Sequence, residues 1–483
     1  MLRDEQIYRL NRWWATADWE TDDPHLRRLE ASAIRLPTPQ VEEIDLERPA
    51  LHVLRGPRQV GKSTDLKLLV RRALEQGIGA ERVAYLSLDA LQDQPLTALV
   101  ESVIRALELA GGRTPRLVLL DEVTAAGRWQ TAVKALWDEG QIDRDVVVCT
   151  GSSAIDLAEG TAERLPGRRG AGRDFLVLPQ GFAAFAQALD GTIPPSPAIS
   201  VADVASPEGE ETLRDARPHL RSLRGALELY LRFGGLPASV AEAAAGRREP
   251  SPEVSAVLWN SIVREVQRRG ASVPATQALF ERVMRSLGSK VSWSRLAREM
   301  DVPLGPPRRG GRGDPDPRTL QSYVEFLAVN CWALILYFWK PDSGSGVLGR
   351  DKKVYFGDPL LQTITAERVG LPRDTHAEVE NAIALALYRR YEPAERRAEN
   401  MVAPERLHVW GTRRGGEIDF VCGPRTAIEA VEVADWEHLN RQKATAPARA
   451  LPGRPSLVAT REELEFGETA NLVPAALLLW ALS

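Results

Sequence analysis

A glycine-rich loop between an apolar run and a helix-forming segment constrains the fold of this chain more than any other feature. Residues 51–67 read LHVLRGPRQVGKSTDLK, which contains the pattern G-x-x-x-x-G-K-[ST]. Glycines let backbone N–H groups close around phosphates, and the N-terminus of the following helix adds its positive dipole end. The strand–loop–helix context supports the match. The loop that we predict to hold a nucleotide triphosphate consists of Gly56, Pro57, Arg58, Gln59, Val60, Gly61, Lys62, Ser63 and Thr64.

Three side chains have predicted roles at the phosphates and the metal. Lys62 would reach the β- and γ-phosphates, and the Ser63 hydroxyl would coordinate Mg²⁺. In RLVLLDEVT, four apolar residues place Asp121 at the end of a buried strand, where it would complete the Mg²⁺ shell. Glu122 follows and would polarise the attacking water. The alternative for Asp121 and Glu122 is an acidic pair at a solvated strand end with no role at the nucleotide. Together with the phosphate loop, the pattern predicts ATP and Mg²⁺ as cofactors.

A later apolar run ends in CTGSS, which places hydroxyl groups after a further strand. Thr150 or Ser152 would contact the γ-phosphate or the attacking water. The alternative for each is a hydroxyl that caps the following helix.

The apolar runs of this region predict its fold. LHVLRG, RVAYLSLD, RLVLLDE and DVVVCTGSS alternate with amphipathic segments. Such alternation indicates a parallel sheet covered by helices on both faces. A length of 483 residues predicts more than one domain.

Charge, cysteines and apolar runs limit the location and the partners. The net charge of −4 gives no global attraction to nucleic acid, so a DNA surface must be local. Three separated cysteines in apolar runs are typical of reduced core residues. The N-terminus lacks the apolar core of a signal peptide. The apolar runs LAVNCWALILYF and LVPAALLLWAL are shorter than the about 20 residues of a membrane span. We therefore expect a cytoplasmic protein without a membrane partner.

The motifs also resemble a known family. LRGPRQVGKST, YLSLD, LLDEV, TGSS, LPGRRG, LPQGFAAF and YLRFGGLPASV stand in the order and spacing of predicted bacterial and archaeal ATPases of AAA+-like fold. The resemblance implies an α/β P-loop NTPase followed by a helical lid, a winged helix and a restriction-endonuclease-like α/β domain. The predicted parts are residues 1–190 (ATPase with N-terminal helices), 191–250 (mobile connection and helical lid), 251–370 (helical and winged-helix) and 371–483 (nuclease-like, degenerate).

The resemblance assigns a role to LPGRRG. Arg168 or Arg169 would contact the nucleotide, in cis or in a neighbouring subunit, and stabilise transition-state charge. The alternative is a basic surface loop. A shared arginine implies a homo-oligomer, with a hexameric ring as the candidate arrangement.

Residues 292–356 resemble a winged helix, which lays its second helix in the major groove of DNA. Ser292 would cap the first helix and Thr319 the second, and two strands would flank a Gly/Ser turn. The unusually long loop LGPPRRGGRGDPDP separates the helices. The alternative role of a winged helix is to dock a protein. The residues that would contact DNA are Arg308, Arg309, Arg312, Arg318, Gln321, Lys352 and Lys353.

The last segment resembles the PD-(D/E)XK nuclease fold, in which acids gather a divalent metal that activates water. Glu380, Asp419 and Glu432 match the three acids, but Ala434 stands where the lysine belongs. Without that cation the developing phosphorane charge loses a stabiliser. We therefore expect nuclease activity to be lost and the fold to serve subunit contacts or DNA-backbone binding.

These features predict an oligomeric AAA+-type ATPase that acts on DNA or on a DNA-bound partner. The alternative is a nucleotide-gated regulatory or scaffold protein, in a defence or toxin–antitoxin system, that acts on a protein partner. A metal-dependent nuclease with an ATPase regulator is a third reading, against which Ala434 argues.

Overall fold

The structure of the protein, a computed structural model, divides into two compact units, Met1–Leu178 (unit 1) and Pro179–Ser483 (unit 2). The division of residues 191–483 into three parts stays a prediction. The residues that the structure describes are 1–32, 34–91, 94–125, 129–151, 170–300, 302, 304, 316–340, 345–346, 351–393, 401–411 and 417–483.

The described strands of unit 1 form a parallel five-stranded sheet in the order β2-β3-β4-β1-β5. The parallel sheet predicted from the apolar runs is therefore confirmed. Strands β1, β3 and β4 are buried along their whole length, as expected where apolar residues are continuous and not alternating. The strands are β1 (Ala50–Arg55), β2 (Val83–Ser87), β3 (Leu117–Asp121), β4 (Val146–Gly151) and β5 (Asp174–Leu176).

Apolar residues of two helices and of the sheet make one core. Val103 of the sixth helix and Leu136 of the seventh pack in one cluster with Val53, Leu86 and Leu120 of three strands. The described helices of unit 1 are α1 (Asp4–Leu10), α2 (Trp19–Asp22), α3 (Pro24–Ala31), α4 (Pro39–Glu43), α5 (Lys62–Glu75), α6 (Leu96–Ala110) and α7 (Trp129–Asp138).

Side chains of the N-terminal segment cover the edge strand β2. The Asn11 side chain accepts a hydrogen bond from the Tyr85 N–H at 2.6 Å and donates one to the Tyr85 carbonyl at 2.9 Å. The indole N–H groups of Trp13 and Trp14 both donate to the Val83 carbonyl, at 3.0 and 2.9 Å. These bonds satisfy backbone groups that an edge strand leaves unpaired.

Unit 2 contains a mixed sheet in the order β10-β11-β12-β13-β15-β14. Strands β10, β11 and β12 pair antiparallel, β12, β13 and β15 pair parallel, and β14 is antiparallel to β15. Separate antiparallel pairs are β6 with β9 and β7 with β8. The strands are β6 (Ala333–Tyr337), β7 (Trp339–Lys340), β8 (Ser345–Gly346), β9 (Lys352–Phe356), β10 (Leu407–Gly411), β11 (Glu417–Cys422), β12 (Glu429–Val433), β13 (Ser456–Thr460), β14 (Glu465–Phe466) and β15 (Asn471–Pro474).

The terminal apolar run forms a helix whose residues are all buried, Ala475–Leu482. No helix within the described residues is long and apolar enough to cross a membrane. The described helices of unit 2 are α8 (Phe182–Leu189), α9 (Val201–Val204), α10 (Pro207–Asp215), α11 (Leu220–Phe233), α12 (Pro237–Ala244), α13 (Pro252–Arg268), α14 (Val273–Arg285), α15 (Trp293–Arg298), α16 (Pro317–Val329), α17 (Pro359–Val369), α18 (Thr375–Tyr391), α19 (Arg441–Ala444), α20 (Ala446–Ala450) and α21 (Ala475–Leu482).

The Pro- and acid-rich stretch 190–211 lies at the start of the part predicted as a mobile connection and helical lid. It contains α9 and the start of α10, which begin after the capping residues Ser200 and Ser206. The stretch also bonds to the C-terminal helix, because the Trp480 indole donates to the Pro194 carbonyl at 2.9 Å. These helices span 4 and 9 residues, and such short segments show little apolar periodicity in sequence.

The segment predicted as a winged helix has the expected order of elements, helix, helix and antiparallel strand pair. Ser292 caps α15, as predicted, by accepting from the Arg295 N–H at 3.2 Å. The predicted cap Thr319 is wrong, because Asp316 accepts from the Arg318 N–H at 3.2 Å and α16 begins at Pro317. Proline at the first helical position lacks an N–H that would have no partner there, so the Asp-Pro pair sets the start. The winged-helix assignment stays a prediction.

Candidate functional site

The loop between β1 and α5 has the backbone shape that its glycines predict. Gly61, immediately before α5, has φ 107°, and Gly56 has φ 154°. A Cβ at Gly56 would lie 2.1 Å from the carbonyl oxygen of Val177, so a larger residue would collide with backbone. Gln59 also has a positive φ, 67°. The loop therefore curls back on itself at the N-terminus of a 14-residue helix.

The Lys62 ammonium lies inside this curl. Its Nζ donates to the carbonyl oxygens of Gly56 and Pro57, both at 2.9 Å, and the residue is 5% exposed. Both acceptors are neutral. A phosphate would offer the ammonium an anionic partner in the same place, and hydrogen bonds between ionised groups are roughly twice as strong as neutral ones.

Asp121 lies at the end of β3 and is fixed by hydroxyl groups from both neighbouring strands. The Tyr85 hydroxyl on β2 donates to Asp121 Oδ2 at 2.8 Å. The Thr150 hydroxyl on β4 donates to Asp121 Oδ1. Burial and the Asp121 charge raise the pKa of Tyr85 far above its usual value, so the phenol keeps the proton that it donates. Each carboxylate oxygen keeps further lone pairs for a metal.

Glu122 adopts a backbone conformation that is uncommon for a residue with a side chain. Its φ is 53°, and its N–H donates to Thr150 Oγ1 at 3.0 Å. Thr150 therefore contacts both acidic residues, which is neither of the two roles predicted for its hydroxyl. A strained residue held by its surroundings is typical of functional sites.

Sequence reasoning did not single out Tyr85 or the lysine that packs on it. Lys67 Nζ of α5 lies 3.4 Å from the Tyr85 ring centroid and 3.5 Å from Asp23 Oδ2. Burial lowers the pKa of Lys67 to about 8, although Asp23 opposes the shift. The register of the sheet pairs Ser87 with Asp121, so Tyr85 and Asp121 share a face of neighbouring strands, a relation that depends on the strand order.

These residues fit a nucleotide triphosphate with its metal. Lys62 and the first N–H groups of α5 would hold the phosphates, and the close approach at Gly56 keeps the loop narrow. The Ser63 hydroxyl and the Asp121 carboxylate are the oxygen ligands that Mg²⁺ prefers. Three of the predicted catalytic residues, Ser152, Arg168 and Arg169, lie outside the described residues.

One comparison with known proteins concerns the part of the chain that contains this loop. Residues 48–185 match the family model described as AAA domain. We call this part of the chain the AAA domain, after the family that it matches. No curated protein compared with the chain matches it.

Solved structures resemble the chain only distantly. The ORC1 protein of Aeropyrum pernix, solved in complex with DNA, is 14% identical over 74% of this chain and 96% of its own, with a TM-score of 0.28. The Aeropyrum pernix ORC2 protein, in ADPNP–ADP complexes, is 14% identical over 76% and 95%, with a TM-score of 0.31. PCH-2 of C. elegans is 18% identical over 32% and 41%, with a TM-score of 0.21. Scores this low carry no argument about function.

A second group of polar residues lies outside the AAA domain, in unit 2, and includes the three acids predicted from the nuclease resemblance. Glu380 on α18 and Asp419 on β11 both accept hydrogen bonds from Lys353 Nζ, at 2.8 and 2.9 Å. Glu417 Oε1 lies 2.7 Å from the same nitrogen. Glu432 on β12 accepts from the Asp419 N–H at 3.2 Å. We call Lys353, Glu380, Glu417, Asp419 and Glu432 the carboxylate cluster.

Lys353 and Glu380 are closed to solvent, at 1% and 3% exposed, whereas the side chains of Asp419 and Glu417 are 14% and 33% exposed. Burial, together with the charge of Asp419, raises the pKa of Glu380 and of Glu432 above their usual values. Burial opposes the charge of Lys353, but the surrounding phenol and carboxylates raise its pKa above the usual value. The Tyr355 hydroxyl adds a hydrogen bond to Glu380 at 2.6 Å.

The prediction that Lys352 and Lys353 contact DNA is wrong. Both are buried, at 0% and 1% exposed. Successive residues of a strand point to opposite faces, so Lys353 reaches the acids while Lys352 Nζ lies 4.1 Å from the Trp293 ring centroid. The acids follow Lys353 by 27 and 66 positions, and no local pattern in the sequence brings them together.

The other residues predicted to contact DNA are partly described. Arg318 is exposed in the first turn of α16. Gln321 is half-buried, and its Nε2 donates to Glu325 Oε1 at 2.7 Å. The loop residues Arg308, Arg309 and Arg312 lie outside the described residues.

Proposed function

We propose that the AAA domain binds ATP with Mg²⁺ and hydrolyses it. The observation that carries the proposal is the placement of the Lys62 ammonium inside a glycine-shaped loop at the N-terminus of α5. Its two carbonyl acceptors hold it in position, and phosphate oxygens would replace or join them. A helix N-terminus with inward backbone N–H groups favours an anion in the same place.

Residues at the start of α5 and at the neighbouring strand ends support the hydrolysis step of the proposal. Ser63 and Asp121 would hold Mg²⁺, and the hydroxyl groups of Tyr85 and Thr150 keep Asp121 in one orientation. Glu122 would orient the attacking water and accept its proton. Arg168 or Arg169 would stabilise the transition state, in cis or from a neighbouring subunit of a homo-oligomer.

Two substitutions separate binding from hydrolysis. Lys62→Ala should abolish tight ATP binding, because it removes the cation at the phosphates. Glu122→Gln should keep binding and slow hydrolysis by about 100-fold or more, in the range of a lost general base. Binding of a fluorescent ATP analogue and phosphate release measure the two steps. The exposed Glu139→Gln is the matched control and should behave as wild type. Normal hydrolysis by Glu122→Gln would show that the base is assigned wrongly.

We further propose that the oligomeric ATPase acts on DNA or on a DNA-bound partner through the winged-helix and nuclease-like parts. The exposed Arg318 at the start of α16 supports a DNA contact. Stimulation of ATP hydrolysis by DNA would support this role, and Arg318→Ala should reduce that stimulation. An unchanged rate over a range of DNA lengths would contradict it.

A protein partner is the second candidate. The burial of Lys352 and Lys353 removes two cations from the predicted DNA surface, which favours this nucleotide-gated regulatory or scaffold role. Mass measurement with and without a slowly hydrolysed ATP analogue tests whether ATP assembles the chain. Mixing Lys62→Ala subunits with subunits that carry Arg168→Ala and Arg169→Ala tests the arginine: recovered activity would show that it acts between subunits.

A further inference from the structure

The carboxylate cluster holds a nitrogen at the point on which its acids converge. Glu380, Glu417 and Asp419 each place one oxygen 2.7–2.9 Å from Lys353 Nζ. The three acids come from two separate elements, α18 and β11, and the lysine from a third, β9. In the nuclease fold that the sequence resembles, a divalent metal would lie among such acids.

The distances and the number of N–H donors both fit an ammonium group at this site. An ammonium has three N–H donors; Lys353 donates to Glu380 and Asp419, and the Glu417 carboxylate forms an ion pair with the same nitrogen at 2.7 Å. Carboxylate oxygens hold Mg²⁺ at about 2.0–2.1 Å, so a metal and the Lys353 nitrogen would compete for one space. Among the described residues, no group of three or more His, Cys, Asp or Glu side chains is arranged to hold a metal ion.

The residues therefore do not fit a divalent metal as they are arranged. We propose that the Lys353 ammonium is a built-in cation that takes the place of the metal in this cluster. The proposal also accounts for Ala434: the cation that the motif lacks at this position, immediately after β12, is supplied in space by Lys353 on β9. The role of the cluster is then to join α18, β9 and β11 through buried ion pairs, and not to activate water.

The surroundings of Lys353 keep it in the cluster. The side chain is 1% exposed, so leaving the acids would place a charged ammonium in a site without an equivalent partner. The Tyr355 hydroxyl and the Val433 N–H donate to Glu380 and to Asp419 at 2.6 and 2.9 Å, which orients both acids.

The test is Mn²⁺ binding to the full chain without nucleotide, measured by electron paramagnetic resonance of the free ion. Lys353→Met leaves the acids in place and removes the ammonium, so it should gain one bound Mn²⁺ per chain over wild type. Adding Glu417→Gln to Lys353→Met should weaken that gain. Lys352→Met is the matched control, since it removes the neighbouring buried lysine and leaves the cluster intact; it should bind Mn²⁺ as wild type does. Any Mn²⁺ bound by the AAA domain is common to all variants and cancels.

A second comparison holds even where Lys353→Met does not fold. Wild type and Glu417→Gln, which changes a half-exposed acid, should bind the same amount of Mn²⁺ and show the same Mn²⁺-dependent shift in Tm. A Mn²⁺ site in wild type that Glu417→Gln weakens would overturn the proposal. A folded Lys353→Met chain with no additional Mn²⁺ would also overturn it. Either outcome would leave the proposed ATPase activity intact, because ATP binding is tested separately with the Lys62→Ala variant.

Discussion

Lys62 in the AAA domain and Lys353 in the carboxylate cluster are both buried lysines whose ammonium groups are surrounded by oxygen atoms. Lys62 bonds to two neutral carbonyls of its own loop, within six residues. Lys353 bonds to acids that follow it by 27 to 66 positions. The carbonyl acceptors of Lys62 are neutral, whereas Lys353 bonds to carboxylates that neutralise its charge. We therefore propose that Lys62 serves a ligand and that Lys353 serves the fold.

The largest expected difference is in stability. Lys353→Met leaves buried carboxylates without their cation and should destabilise unit 2 by about 3–5 kcal/mol, the usual effect of breaking a buried ion pair. Lys62→Met removes the bonds to the Gly56 and Pro57 carbonyls and should change the free energy of unfolding of unit 1 by about 1 kcal/mol or less. Urea denaturation followed by tryptophan fluorescence and by circular dichroism measures both. Equal effects at the two sites would remove the distinction between a ligand-binding and a structural lysine.

A smaller effect is expected at the tyrosines that bond an acid in each unit. Tyr85→Phe removes a donor from Asp121 and should slow ATP hydrolysis by roughly 10- to 100-fold, since hydrogen bonds to charged groups contribute about 1.5–3 kcal/mol. ATP binding should be retained, and the Mg²⁺ concentration for half-maximal rate should rise. Hydrolysis rates over a Mg²⁺ titration give both values.

Tyr355→Phe is the matched control for Tyr85→Phe, because it removes the corresponding hydroxyl from Glu380 in the carboxylate cluster. It should lower the stability of unit 2 without changing hydrolysis. A Tyr85→Phe protein with a wild-type rate and wild-type Mg²⁺ dependence would show that Thr150 alone orients Asp121.

The two regions also differ in how far the sequence predicts them. The phosphate loop is local: one stretch of ten residues contains its glycines, lysine and hydroxyl, and an apolar run fixes the strand before it. Asp121 and Thr150 are found as candidate site residues because each ends an apolar run, and parallel strands end at the same sheet edge, but the contact between them is not predicted. The sequence does not predict Tyr85 as a site residue, because its contact with Asp121 depends on the strand order, which places β2 beside β3.

The carboxylate cluster is predicted only in part, since its acids match a motif and its cation does not. The pair Lys352 and Lys353 reads as an exposed basic patch, because charged residues in sequence are mostly solvated. In the structure both are buried. Lys353 bonds to acids and Lys352 lies over an aromatic ring, and these partners belong to elements far apart in the chain. The motif defines its cation by a position in the sequence, so it does not reveal a cation that another strand supplies.

The smallest expected effect is that of replacing Lys352 by Met. This substitution should raise the stability, whereas Lys353→Met should lower it. Burial lowers the pKa of Lys352 to about 8, although the charges of Asp351 and Glu325 oppose the shift. Below pH 8 the lysine is protonated in both the folded and the unfolded chain, and the folded chain bears the penalty of a buried charge. Between pH 8 and 10.5 the folded chain has lost the proton that the unfolded chain still binds, so wild-type stability should rise with pH.

Lys352→Met removes this penalty and its pH dependence. The variant should be more stable than wild type by about 1 kcal/mol at pH 7, because the cation–π contact with Trp293 offsets part of the penalty. The difference should shrink toward pH 10. Urea denaturation of both proteins at several pH values measures it. A destabilised Lys352→Met protein at pH 7 would mean that the contact with Trp293 outweighs burial, and that aromatic rings neutralise a buried lysine in this unit nearly as well as carboxylates do.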